Sequence, residues 1–114
     1  MSAKEFFVES DNDQPVVASL DAAVNKFGEF VVEMEKERYG RRSRTEKTLA
    51  VVDREDTREL AKALGVGEDE LSRALNGHFG EVGRNLSVAD VEKLFGEVLD
   101  FILDHGVRYR LKRE

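Results

Sequence analysis

Thr57 to Gly77 reads TRELAKALGVGEDELSRALNG, and this stretch constrains the fold more than any other in the chain. Leu60, Leu64, Leu71 and Ala74 recur at three- and four-residue spacing, with Val66 in the connection, so the spacing predicts two amphipathic helices sharing one core. Ala61 offers a small side chain where the helices would cross. Gly65 follows the last periodic residue of the first helix, where a left-handed cap conformation costs glycine almost nothing. Asp56, with Glu59 three residues on, reads as a capping-box start.

Leu-Ala-x-x-Leu-Gly-Val, followed by Leu-Ser-Arg-x-Leu-Asn-Gly and then by the helical run NLSVADVEKLF, resembles the lambda-repressor-like (Xre-type) helix-turn-helix family over about residues 56–95. That resemblance implies a second helix, beginning near Glu68, that enters the major groove of duplex DNA. Arg73 would then pair bidentately with guanine, Asn76 with adenine or a phosphate, and Ser72 with either. Arg58 and the amides opening the first helix would face a phosphate, and His78 and Arg84 in the following loop would add backbone contacts.

Outside the motif, MSAKEFFVESDNDQP is an acidic N-terminal arm over residues 1–15, and residues 16–114 read as a single helical domain containing the motif at 57–77. Leu20, Ala23, Val24, Phe27, Val31 and Met34 predict a long helix from Val16 to Tyr39, with Gly28 as a weak point costing about 1 kcal/mol relative to Ala. TLAVVD, Thr48 to Asp53, is either a short helix or a buried strand. Ser87 and Asp90 mark a further helix start, and the apolar residues from Val91 to Leu103 give that C-terminal helix a wide face. Val107, Tyr109 and Leu111 alternate with Arg108, Arg110 and Lys112, which favours a strand. The expected fold class is therefore mainly α: a helix-turn-helix core with a long N-terminal and a C-terminal helix. A small β element from residues 4–9, 48–53 and 107–112 is the variant of that reading.

Composition bounds the function. A chain of 114 residues, 40% hydrophobic and 37% charged, suits one globular domain. No apolar run approaches the roughly 20 residues needed to span a bilayer, and no secretion signal opens the chain, so a cytoplasmic protein without membrane contact is expected. Cysteine is absent, and His78 and His105 stand apart from other ligand-type residues, so neither a metal nor a cofactor is expected. There is no nucleophile–base set in helpful context and no Gly-rich phosphate loop, so the chain does not read as an enzyme.

The net charge of −6 is unevenly spread. Two basic islands, KERYGRRSRTEK and HGVRYRLKR, lie in an acidic background and would form an electrostatic footprint if the fold united them. Two functions follow. One is a DNA-binding transcriptional regulator, a homodimer reading half-sites about 34 Å apart, with Arg41, Arg42 and Arg44 clamping phosphates or entering a minor groove. The other is a protein-interaction module with a degenerate helix-turn-helix, because Glu68, Asp69 and Glu70 would approach the phosphates where the family carries neutral or basic residues. That acidic cluster would bind a basic partner or mask a nucleic-acid-binding site.

Overall fold

The computed structural model describes residues 6–11, 15–40, 43–79 and 86–114. Strands β1 (Phe6–Glu9), β2 (Val16–Val24), β3 (Phe30–Arg38) and β4 (Arg44–Val52) come first. Helix α1 (Arg54–Leu64), a single 3-10 turn (Glu68–Glu70), α2 (Leu71–Phe79) and α3 (Val88–Asp104) follow, and β5 (Arg110–Arg113) closes the described chain. The strands form one antiparallel five-stranded sheet in the order β1-β2-β3-β4-β5. This corrects the mainly α, all-helical expectation: the protein is a sheet with a helical layer, an α/β fold. The segments read as a small β element contribute β1, the end of β4, and β5, which stand on both edges and inside this larger sheet.

The expected long helix over Val16–Tyr39 is instead the β2–β3 hairpin. Residues at helical spacing are divided by the strands between two faces: Leu20 pairs with Met34 on one, Ala23 with Val31 on the other. The turn is local chemistry. Asn25 Oδ1 accepts from the backbone amides of Phe27 and Glu29 at 2.9 and 3.0 Å, and Gly28 adopts φ +79°. An L-residue with a side chain would be strained at that φ, so Gly28 is a turn residue and not a flaw within a helix. Flanking β-branched Val16, Val17, Val24, Val31 and Val32 favour the pleated surface over a helix.

One face of the sheet is covered. Phe6 and Val8, Ala18, Leu20 and Ala22, Phe30, Val32 and Met34, and Ala50 and Val52 alternate inward on β1 to β4. They pack with Leu60 and Ala61 of α1, Leu71 and Leu75 of α2, and Val91, Leu94, Phe95, Val98, Leu99 and Ile102 of α3. Helix α3 lies over β2 and β3, and α2 over β1 and β2. Such alternation, apolar toward the helices and mixed toward water, is what a one-sided antiparallel sheet requires.

Helix α1 starts earlier than the expected Asp56 cap, because Asp53 is the residue that leaves the sheet: its side chain accepts from the Asp56 amide at 2.8 Å. Within its first turn, fully buried Thr57 accepts from the Phe30 amide and donates to the Val52 carbonyl, both at 3.0 Å. One hydroxyl thus satisfies two groups at the end of the β3–β4 pair and anchors the helix there. Gly65 ends α1 in the left-handed region at φ +70°. Ser87 and Asp90 cap α3 reciprocally, at 3.0 and 2.9 Å.

Candidate functional site

The sheet face turned away from the helices is partly buried: Val17, Asp21 and Val51 are buried on it, whereas Phe7 is exposed. Its side chains follow from register. Phe7 and Glu9 come from β1, Val17, Ser19, Asp21 and Ala23 from β2, and Val31, Glu33, Glu35 and Glu37 from β3. Strand β4 adds Thr45, Lys47, Leu49 and Val51, and β5 adds Arg110 and Lys112.

Charge on this face is sorted by strand. Glu33, Glu35 and Glu37 run down central strand β3, about 6.5 to 7 Å apart as alternate strand residues must be. Asp21 and Glu9 extend the acidic area across β2 and β1, whereas Lys47, Arg110 and Lys112 lie on β4 and β5. Apolar surface is interleaved with it: Phe7 is 51% exposed, and Val31 and Leu49 are half-buried. The Tyr39 phenol reports the field at one end. Its hydroxyl donates to the Glu37 carboxylate, and its pKa is raised first by that bond and by the Glu37 charge, then by slight desolvation and by Glu9 and Glu35. Three carboxylates from two strands therefore act on one exposed ring.

The helix-turn-helix candidates are dispersed by comparison. Ser72 faces the sheet, 9% exposed, and its hydroxyl donates to the Ala22 carbonyl at 2.7 Å; it holds α2 on β2 and is not presented to a groove. Arg58 Nε lies 4.0 Å from Glu68 Oε1, so it faces an acid where a phosphate was expected. Glu70 Oε1 accepts from the Gly67 amide at 3.0 Å, capping the 3-10 turn that precedes α2. The acidic cluster Glu68–Glu70 is thus partly committed to local structure. Arg73 and Asn76 are exposed on α2. His78 packs its ring on Phe79 and Phe101, with centroids 4.5 and 4.7 Å away.

Arg44 sits on β4, six residues from Ala50, which pairs at the level of Val32 and Ala22. That separation is about 20 Å along the sheet from the Ser72 anchor. Arg41, Arg42 and Arg84 lie outside the described residues. The two basic islands touch only at their ends: β5 pairs with Thr48–Val51, just past the first island, and Lys47 bonds Glu114, just past the second.

Sequence reasoning passed over the acidic column. Its signal was present: VVEMEKE places Glu33, Glu35 and Glu37 at period two, with Val32 and Met34 between them, the alternation of a half-buried strand. Among the described residues no group of three or more His, Cys, Asp or Glu could hold a metal ion, and no helix is long and apolar enough to cross a membrane.

No family model matches the chain, and no curated protein or solved structure matches it.

Proposed function

We propose that the protein is a protein-interaction module whose open sheet face receives a basic segment of a partner protein. The observation that carries this reading is the Glu33–Glu35–Glu37 column on the central strand, set among Phe7, Val31 and Leu49. An extended segment with Lys or Arg at alternate positions has the same spacing as the column, and its intervening residues would meet the apolar surface. Duplex DNA is the poorer occupant. The acidic face repels a polyanion, Ser72 is engaged by Ala22, and Glu68 faces Arg58 at the entrance to α2.

A second copy of the chain is also a poor occupant of this face. A two-fold axis lying between two such sheets and passing near their centres sets β3 against β3, so the acidic column would meet itself. An occupant laid along β3 has to bring positive charge to the column.

The test is the affinity of an extended Lys-Val repeat peptide for the whole protein and two charge-matched triple variants, at low and raised salt. Glu33→Gln/Glu35→Gln/Glu37→Gln should abolish binding; Glu55→Gln/Glu59→Gln/Glu97→Gln, which removes three acids from the exposed side of α1 and α3, should leave most of it. Equal losses in both variants would mean that net charge, and not this face, attracts the peptide, and the proposal would fail.

A further inference from the structure

A groove on the other side of the molecule points to a ligand of opposite charge. On the helix side, at the end farthest from α1, strands β2 to β4 meet the first turns of α3. An open groove of about 580 Å³ lies there, lined by Val16, Lys36, Arg38, Arg44 and Glu46 on the sheet and by Val88 and Glu92 on α3. Its size falls in the range of small-molecule sites. Arg38 and Arg44 are direct cross-strand partners on the same face, as are Lys36 and Glu46 behind them. Like charges directly opposite one another destabilise a sheet pair unless something negative lies between them.

The two acids of the groove are already assigned. Glu46 Oε1 lies 3.4 Å from Arg44 Nε, and Glu92 Oε1 lies 4.0 Å from Lys36 Nζ. Both ion pairs are open to solvent, and at Arg44 the carboxylate lies at Nε. Arg38 has no carboxylate at ion-pair distance among the described residues. Val16 and Val88 also line a second groove of about 330 Å³, which continues past Pro15 and Leu86. The two grooves share Val16 and Val88, and the second is of mixed lining, with Ser10, Asp11 and Ser87 beside Pro15 and Leu86.

We infer that this groove binds a small organic anion, a phosphate or carboxylate head held between the Arg38 and Arg44 guanidinium groups with an apolar body along Val16 and Val88. Two guanidinium forks suit an oxyanion better than ammonium groups would, since each offers paired donors in a plane. The site lies on the helix side of the sheet, so it stands or falls independently of the acidic face.

Phenyl phosphate, benzoate and inorganic phosphate, each titrated into the whole protein and followed by backbone amide shifts, test this. Phenyl phosphate or benzoate should saturate with shifts at residues 36–38, 44–46 and 88, and whichever binds tighter identifies the head group. Inorganic phosphate, lacking the apolar body, should bind weakest. Arg38→Gln should weaken the tighter ligand by roughly tenfold or more, as loss of a charged hydrogen bond does. Glu92→Gln, which frees Lys36, should strengthen binding, a gain that a damaged fold would not give. Shifts that do not saturate, that map elsewhere, or that survive Arg38→Gln unchanged would overturn the site.

Discussion

The two faces of the sheet come from the same strands and are built to opposite specifications. Toward the helices, Phe30, Val32 and Met34 on β3 are buried in a continuous core; toward water, Val31, Glu33, Glu35 and Glu37 alternate with them and make no contact with that core. Most of the apolar burial lies on one side, although Val17 and Val51 are buried on the other, and the acidic column lies on that second side. The difference teaches that the acidic face can be altered without dismantling the fold, because residues with no shared partners contribute nearly independently. The carboxylate column on the central strand stands outside the core cluster.

Phe30 and Val31 break or sharpen that contrast most directly, being neighbours in sequence on opposite faces. Phe30→Ala should cost about 3–5 kcal/mol in urea unfolding, by transfer and cavity formation. Val31→Ala should cost about 1 kcal/mol or less. Comparable losses would mean that the open face is part of the core. The next largest effect is expected from Thr57→Val, which leaves the Phe30 amide and the Val52 carbonyl unsatisfied in the interior and should cost about 1–3 kcal/mol.

Ser72→Ala should lower stability by about 1 kcal/mol through loss of its bond to Ala22. A serine kept for reading bases would leave the urea midpoint where it was. The smallest effect is spectroscopic. Because Glu37, aided by Glu9 and Glu35, raises the Tyr39 pKa, this phenol should ionise at higher pH than a free tyrosine, and Glu37→Gln should bring the ultraviolet titration back down. The sign for stability follows: the contribution is present below the unfolded pKa and is lost as pH rises through the folded one.

Legibility in the sequence varied along the chain for physical reasons. Gly65 at the end of α1 and the reciprocal Ser87–Asp90 cap were readable because local hydrogen bonding decides them. The β2–β3 hairpin was not, because Leu20, Ala23, Val24, Phe27, Val31 and Met34 satisfy a helical period by coincidence. Phe27 in fact lies in the turn, 65% exposed, and the others are shared between two faces. The deciding signals were Asn25 with Gly28 and the surrounding valines, which outweigh a periodic match when an antiparallel partner is available.

The helix-turn-helix reading met a similar limit. Spacing placed Leu71 inward but could not say that a sheet, and not α1 alone, would receive it, nor that Ser72 would turn toward Ala22. The acidic site became visible only when β3 was known to be a strand.

Amide cross-saturation from a bound Lys-Val repeat peptide to the whole protein tests the central claim most directly. The account predicts saturation transfer confined to the open face, at residues of β1 to β4 centred on Glu33, Glu35 and Glu37, with α2 unaffected. Transfer centred on Arg73 and Asn76 of α2, or spread evenly over the acids of the helical layer, would contradict it.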